Sequence, residues 1–543
     1  MEWWKERVIY QIYPRSFLDS GGDGIGDLRG IISKLDYLKE LGIGIIWLSP
    51  VYSSPNKDNG YDISDYYSIH EEFGTMEDMD ELIHQAKVRD IRIIMDLVIN
   101  HTSTEHPWFQ SSREKDSPYR DYYIWRPAKA NGKLPNNWTS FFAEDCWEYD
   151  ALSQEYYLHL FAKEQADLNY NNPKVLEEIK DIMKFWLEKG IGGFRCDVIN
   201  ILHKSSLEDG RKKLVLTGSE YYLSKEGTHV ILKTLRKEVL NNYDCFTVGE
   251  TVFVTPKMGR ELCDPSREEL NMIFSFEHME VDQYFVKWFP RKFSGYRFAK
   301  TLTKWQEALE WNALYFENHD QPRSISRFAC DERYHNEAGK MLATLLLSLR
   351  GTPFIYQGQE IGMTNFDYES LDDVLDVESL NVQALAKKLH LPKWYREKMI
   401  RKASRDNART PMQWNSSSYG GFSKNKPWLK ENQNYRVINV TNQIQKEDSI
   451  FHYYKKMIAI RKNSRVLLEG SFQVIDINKN TFMFCRKFEE ESNLIIISFS
   501  NKERKITGIK GEVIIGNYRE KGAMIEAKSI ITLRPYEAII LTI

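Results

Sequence analysis

Short runs of apolar residues recur along the chain between Val8 and Gly358, and most are separated by segments with helical periodicity. Continuous runs of this length are typical of strands buried on both faces of a parallel sheet. Eight such strands with helices between them predict an α/β fold, a (β/α)8 or TIM barrel. The eight runs are Val8–Tyr13, Ile43–Ser49, Ile91–Asn100, Gly192–Asn200, Cys245–Glu250, Met272–Glu277, Asn312–Asp320 and Pro353–Gly358.

Two stretches interrupt this alternation of strands and helices, and a third stretch follows it. Residues 102–170 are aromatic, polar and Pro-rich and too long for a plain loop, which predicts an inserted domain after the third strand. Residues from about 365 to 448 are charged and irregular and form a second insertion. The barrel is therefore predicted over 1–101 and 171–464. Short alternating runs over 465–543 predict a C-terminal antiparallel β-sandwich domain.

Charge and cysteine usage narrow the class of protein. The 74 basic and 77 acidic residues leave a formal charge of −3, which gives no reason to expect nucleic acid or an anionic membrane as a partner. The six cysteines lie far apart without a Cys-x-x-Cys pair, which is typical of reduced thiols in a cytoplasmic protein. No apolar run approaches the roughly 18 residues that span a bilayer.

Charged and histidine side chains recur where the predicted barrel strands end. In a (β/α)8 barrel the chemistry lies at these carboxyl ends, so the side chains are expected to converge at one rim. A single acid there is readily explained as a structural ion pair, but groups from four strands are hard to explain by packing. They are Asp96, Asn100, His101, Arg195, Asp197, Glu250, His319 and Asp320.

Several rim carboxylates without a metal-ligand cluster or a cofactor loop are typical of glycoside hydrolysis. One carboxylate attacks the anomeric carbon, and a carboxylic acid protonates the leaving oxygen. Asp197 lies two residues after Arg195 and is expected to stay ionised, which suits a nucleophile. Glu250 follows an apolar strand and Gly249, and a raised pKa is expected to make it the acid. Pattern alone assigns no role to Asp320.

Five segments in chain order resemble the signature motifs of the α-amylase family of retaining glycoside hydrolases. Two further segments, Gly358–Asn365 and Arg405–Trp414, are similar to the group within it that contains oligo-1,6-glucosidases, dextran glucosidases and trehalose-6-phosphate hydrolases. The resemblance runs along the whole chain. The five segments are Asp96–His101, Gln165–Asn169, Gly193–Val198, Val248–Glu250 and Asn318–Asp320.

The resemblance implies a role for each matching residue and no cofactor for the chemistry. It implies that Asp197 is the nucleophile, Glu250 the acid/base, and Asp320 a third carboxylate that holds and distorts the sugar. The residues implied to bind that sugar are Asp58, Tyr61, His101, Arg195, His319 and Arg409.

Acidic residues also lie in the glycine-rich loop Asp19–Asp27, where their carboxylates suit Ca²⁺, although the spacing is not that of an EF-hand. The loop is similar to the calcium site of the family, which implies a structural calcium ion. Gly21 stands where relatives often have Asn, so one side-chain ligand is missing. The implied metal residues are Asp19, Asp23, Ile25 and Asp27.

The leading hypothesis is a retaining, exo-acting α-glucosidase that removes α-1,6-linked glucose from the non-reducing end of short oligosaccharides of the isomaltose, isomaltotriose and panose type. Val198, directly after the nucleophile, resembles the residue found in α-1,6-specific members. A monomer or weak homo-oligomer in the cytoplasm is expected.

Two alternatives lie within the same family. The first is a trehalose-6-phosphate hydrolase, for which Lys204, Arg211, Lys212 and Lys213 are candidate phosphate ligands, although a solvated basic loop is the favoured interpretation of these residues. The second is a sucrose- or maltose-preferring α-glucosidase. A non-catalytic sugar-binding protein is disfavoured because all three acids are present.

Overall fold

The computed structural model describes residues 2–142, 144–213 and 215–543. Strands and helices alternate from Ile9 to Tyr356, and the strands β1–β25 are, in chain order, Ile9–Ile12, Ile45–Leu48, Tyr52–Ser53, Asp65–Ile69, Arg92–Leu97, His101–Ser103, Trp125–Arg126, Trp147–Asp150, Glu155–Leu158, Gln165–Asp167, Gly193–Cys196, Phe246–Glu250, Met272–Phe274, Gln283–Tyr284, Val286–Pro290, Ala313–Leu314, Thr352–Tyr356, Ser471–Ile477, Thr481–Phe488, Glu491–Ser498, Arg504–Ile506, Gly511–Gly516, Met524–Ile525, Ile531–Leu533 and Ala538–Thr542.

The longer helices are amphipathic, and several begin at a side-chain cap such as Asn172 before Pro173 or Ser294 before Gly295. No helix of the described residues combines the length and the apolar composition needed to cross a bilayer. The helices α1–α16 are Leu28–Ile32, Leu35–Leu41, Met76–Val88, Pro107–Ser112, Pro173–Glu188, Glu226–Glu238, Pro256–Cys263, Gly295–Ala308, Ser324–Phe328, His335–Ser348, Val377–Lys388, Lys393–Ala403, Asp406–Arg409, Val440–Gln445, Ile450–Lys462 and Arg465–Glu469.

Each of the eight predicted apolar runs overlaps a strand of one sheet, whose order is β13-β12-β11-β5-β2-β1-β17-β16. This order and the helices between the strands confirm the predicted (β/α)8 class. The seventh strand is shorter than predicted, since β16 ends at Leu314 and residues 315–320 continue as a non-strand segment. By compactness the chain divides into two units, both of which contain barrel strands. The predicted domain boundaries stay a prediction.

The first unit comprises Trp47–His84 and Arg92–Ser275. In it β5, β11, β12 and β13 pair in parallel, and the register places Arg195 opposite Asp96 on one side and Val248 on the other. The segment predicted as an insertion forms the antiparallel sheet β7-β9-β8 and the pair β10-β6. Trp138, Trp147 and Leu160 of this segment share a buried core with Val198. The insertion is thus packed onto the chain that follows β11.

The second unit comprises Met1–Ile46, Gln85–Ile91 and Phe276–Ile543. In it β17 pairs in parallel with both β1 and β16. The C-terminal residues form the six-stranded sheet β18-β19-β20-β25-β22-β23 and the two-stranded sheet β21-β24. Side chains of both sheets share one buried core, among them Ile496, Leu541 and Leu533. This confirms the predicted C-terminal antiparallel β domain.

Candidate active site

Arg195 is the centre of a buried group of charges at the ends of three neighbouring strands. Its Nη1 donates to Asp197 Oδ1 at 2.6 Å and also to Asp96 Oδ1, while its Nη2 lies 2.7 Å from Glu250 Oε2. All four side chains are buried. We name them, Asp96, Arg195, Asp197 and Glu250, the arginine cluster. Charges buried this deeply are tolerated only when they are paired, and one guanidinium here serves three carboxylates.

Strand register explains how these side chains meet. Asp96 and Arg195 are directly paired residues of β5 and β11, so their side chains project on the same face. Asp197 follows the last residue of β11, and its backbone N–H donates to Leu97 O at 3.0 Å. Glu250 is the last residue of β12. The predicted neighbourhood of Arg195, Asp197 and Glu250 is therefore present in the structure.

The pKa of Asp197 is raised to about 6, although the Arg195 contact alone predicts a lowered value. Burial is the largest cause of the increase, and the like charge of Asp96 adds to it. Arg195 and a hydrogen bond from the Glu250 side chain act in the opposite direction. Since one pKa unit is a factor of ten, about nine tenths of Asp197 is ionised at pH 7.

The Glu250 side chain makes a hydrogen bond with Asp197 that lowers the pKa of Asp197. This contact favours the ionised Asp197 carboxylate that a nucleophile requires. The expected increase in the pKa of Glu250 itself stays a prediction.

Val198 has an unusual backbone conformation, which the surrounding sequence does not predict. Its φ of 36° lies in the left-handed region, where a β-branched residue is strained. The Val198 N–H donates to Glu250 Oε2 at 3.3 Å. Strain of this kind, about 1–3 kcal/mol, persists where the surroundings over-determine the backbone and is concentrated at functional sites.

Three of the predicted sugar-binding residues, Asp58, Tyr61 and His101, form a second buried group in the same unit. His101 Nε2 lies 3.1 Å from Tyr61 O, and Gln165 Nε2 donates to Asp58 Oδ2 at 3.4 Å. Gln165 Nε2 also lies 3.1 Å from His101 Nε2. Burial lowers the pKa of His101 and favours the neutral ring. Gln165 is the residue that links this group, and only its place in the fifth motif pointed to it.

Lys204, a candidate phosphate ligand by sequence, is buried and already paired. Its Nζ lies 2.6 Å from Asp167 Oδ1 and donates to Asn100 Oδ1 at 2.8 Å. Asn100 in turn donates to Asp167 Oδ1 at 3.1 Å. The ammonium group therefore joins the end of β5 to the inserted segment.

The second unit holds the remaining predicted residues, His319, Asp320 and Arg409. Asp320 Oδ1 accepts a hydrogen bond from Arg409 Nη2 at 2.6 Å, and its Oδ2 lies 3.1 Å from His319 Nε2. Arg405 Nη1 is 3.5 Å from the same carboxylate, a contact that sequence reasoning missed. Burial raises the pKa of Asp320, but His319, Arg405 and Arg409 outweigh burial and hold it well below its usual value. Asp320 is thus firmly ionised.

Each unit therefore brings its own predicted residues together. The first unit contains Asp58, Tyr61, His101, Arg195, Asp197 and Glu250. The second contains His319, Asp320 and Arg409, with Tyr13 stacked on His319 at a ring separation of 6.1 Å and 11° between the planes.

The loop predicted to bind calcium is held by its own hydrogen bonds. Asp19 Oδ2 accepts a hydrogen bond from Gly24 N at 2.8 Å, and Asp23 Oδ1 accepts one from Ile25 N at 2.9 Å. The Asp27 carboxylate accepts hydrogen bonds from several neighbouring backbone amides. The described residues contain no group of three or more His, Cys, Asp or Glu side chains arranged to hold a metal. Calcium at this loop stays a prediction.

Comparison with known proteins extends these findings along the chain. The family description "Alpha amylase, catalytic domain" matches residues 11–470. The chain is 51% identical to an oligo-1,6-glucosidase of Parageobacillus thermoglucosidasius, over 99% of this chain and 98% of that protein.

Solved structures give the same result at the level of the fold. Trehalose-6-phosphate hydrolase of Bacillus licheniformis superimposes with a TM-score of 0.95 at 42% identity and covers 100% of both chains. An isomaltulose synthase variant of Erwinia rhapontici NX5, solved with its natural substrate sucrose, gives a TM-score of 0.96 at 41% identity over 99% of both chains. The whole chain therefore has counterparts of known structure.

Proposed function

Since the chain belongs to the α-amylase family, we propose that it is a retaining, exo-acting α-glucosidase that removes α-1,6-linked glucose from the non-reducing end of short oligosaccharides. The observation that carries this proposal is the arginine cluster, in which the carboxyl groups of Asp197 and Glu250 are neighbours and both contact Arg195. Retaining glycosidases use two neighbouring carboxyl groups, one as nucleophile and one as acid/base.

In the first step Asp197 attacks the anomeric carbon of the terminal glucose. The new bond between the Asp197 carboxylate and that carbon forms as the glycosidic C–O bond breaks. Glu250 gives its proton to the departing oxygen, which leaves as the hydroxyl of the shortened sugar. Arg195 holds Asp197 by a charged hydrogen bond and orients the attacking oxygen.

In the second step Glu250, now ionised, takes a proton from water. The resulting nucleophile attacks the anomeric carbon from the face that the leaving sugar occupied, and the bond to Asp197 breaks. Two displacements restore the α configuration in the released glucose. Glu250 and Asp197 then carry the charges with which they began.

In each unit the predicted sugar-binding residues have groups that suit sugar hydroxyls. In the second unit, Arg409 and Arg405 keep Asp320 ionised, so its carboxylate is a strong hydrogen-bond acceptor. In the first unit, the neutral His101 ring offers one donor and one acceptor.

Two features favour an α-1,6-linked substrate over a phosphorylated one. Val198 fills the position after the nucleophile with an apolar side chain packed in the core of the inserted segment. Of the candidate phosphate ligands, Lys204 is committed to Asp167, and Lys213 pairs with Glu220 at 2.7 Å. Two of the four cations predicted for trehalose-6-phosphate are thus engaged elsewhere.

The remaining predictions are part of the proposal. We propose a cytoplasmic protein, since its six cysteines are free thiols. We also propose a monomer or weak homo-oligomer, short α-glucoside oligosaccharides as its partners rather than nucleic acid or membranes, and a structural calcium ion at the loop Asp19–Asp27.

The test is a comparison of hydrolysis rates for isomaltose, maltose, sucrose and trehalose-6-phosphate by the full chain. Isomaltose is expected to be the best substrate of the four. The matched control is Asp197→Asn, which keeps the shape of the side chain and should lose nearly all activity. A preference for trehalose-6-phosphate or sucrose would replace the proposed substrate, and an active Asp197→Asn enzyme would overturn the mechanism.

A further inference from the structure

Phe253 is an exposed aromatic side chain three residues after Glu250. The residue is 56% accessible, and its backbone lies in the left-handed region with φ of 52°. Single exposed apolar residues are common, but a bulky residue in this conformation is not. The exposed ring of Phe253 is therefore carried by a strained backbone.

The turn that carries Phe253 is anchored at both of its preceding residues. Val252 N–H donates to Asn200 Oδ1 at 3.1 Å, and Asn200 Nδ2 donates to Val252 O at 2.9 Å. Thr251 Oγ1 donates to Phe274 O at 2.8 Å. Asn200 and Thr251 are fully buried. The direction of the Phe253 backbone is therefore fixed by the barrel and not by the loop itself.

Phe253 ends a row of rings that starts at a predicted sugar-binding residue. The Phe253 ring lies 6.5 Å from Phe141 with 27° between the planes, and Phe141 stacks on Phe161 at 4.7 Å and 8°. Phe161 lies 5.2 Å from His101. Phe141 and Phe161 are half-buried. We name these four residues the aromatic strip.

We propose that Phe253, supported by Phe141, is a sugar-binding platform for the part of the substrate beyond the cleaved bond. We assign it to the leaving side of that bond because it lies three residues after Glu250, the residue proposed to protonate the leaving oxygen. The C–H face of a glucose ring is apolar and packs well on an aromatic ring, and a fixed ring binds with little loss of entropy. The inference rests on the proposed function and adds the residue that holds the leaving sugar.

The test compares two substrates that differ in what leaves. The leaving group of isomaltotriose is a disaccharide. The leaving group of α-glucosyl fluoride is fluoride, which occupies no leaving-sugar site. Phe253→Ala is expected to lower kcat/KM for isomaltotriose about five- to tenfold, mostly through a higher KM, and to leave α-glucosyl fluoride within about twofold. Phe253→Trp should restore the isomaltotriose value.

Phe285→Ala is the matched control, since Phe285 is also exposed, at 87%, and also left-handed, with φ of 54°, but lies outside the aromatic strip. It should change neither substrate. An equal loss of both substrates in Phe253→Ala, or no loss of either, would overturn the inference. If the wild type cleaves α-glucosyl fluoride but not isomaltotriose, the α-1,6 proposal fails, and the same comparison is made with whichever of maltose or sucrose it cleaves.

Discussion

Replacing Asp197 by Asn should stabilise the fold at neutral pH while it removes activity. The pKa of Asp197 is about 6 in the folded chain against an ordinary 3.8, mainly because the carboxyl is buried. Folding therefore favours the protonated carboxyl. The cost of keeping it ionised is absent below about pH 4, grows between pH 4 and 6, and is complete above pH 6.

The size of the effect follows from the pKa difference. About two pKa units at roughly 1.4 kcal/mol each give a cost of about 3 kcal/mol at pH 7.5 and about half of that at pH 5. Asn carries no such cost, and Arg195 keeps its contacts with Asp96 and Glu250 in the variant. For a chain of this length 1 kcal/mol corresponds to about 1 °C, so Asp197→Asn should raise Tm by about 3 °C at pH 7.5 and by about 1.5 °C at pH 5.

Scanning calorimetry at the two pH values measures this difference. Asp116→Asn, at an exposed aspartate, is the control and should show no pH-dependent gain. A lower Tm for Asp197→Asn at pH 7.5, or a gain of equal size at both pH values, would refute the reasoning.

Three further predictions follow from single contacts. The value of kcat/KM should fall below about pH 6, where Asp197 becomes protonated. Asp96→Asn should move this acidic limb of the profile to lower pH, because Asp96 raises the pKa of Asp197. An unchanged limb would contradict the assignment of the limb to Asp197. Lys204→Met leaves buried Asp167 without its cation and should cost about 3–5 kcal/mol, measured as a lower Tm that Lys204→Arg recovers in part. A Cβ at Gly21 would lie 3.8 Å from Asp19 Oδ1 and 3.9 Å from Asp27 Oδ2, so Gly21→Asn should increase the rise in Tm on adding calcium.

Local pattern was sufficient for much of the fold and for the pairing of Arg195 with Asp197. The apolar runs overlap the barrel strands because a strand buried on both faces needs continuous apolar sequence. The pair Arg195 and Asp197 follows from the two-residue period of a strand. The motif around Asn318–Asp320 places its acid next to His319, as the structure does.

Properties that depend on distant neighbours could not be predicted in this way. The raised pKa of Asp197 requires Asp96 from another strand and full burial, neither of which is visible in Gly192–Asn200. Lys204 has the sequence context of a solvated basic loop, yet it is buried because Asp167, 37 positions earlier, provides its partner. The aromatic strip joins rings from four separate segments. Local propensity gives no information about any of these contacts.

Retention of the α configuration during isomaltotriose hydrolysis tests the central claim most directly. Proton NMR of the first minutes of the reaction distinguishes the two anomers of the released glucose before they equilibrate. With Asp197 as nucleophile and Glu250 as acid/base, α-glucose should appear first and the β anomer only later, by mutarotation. Early release of β-glucose would show a single displacement, and no glucose from isomaltotriose would remove the α-1,6 assignment.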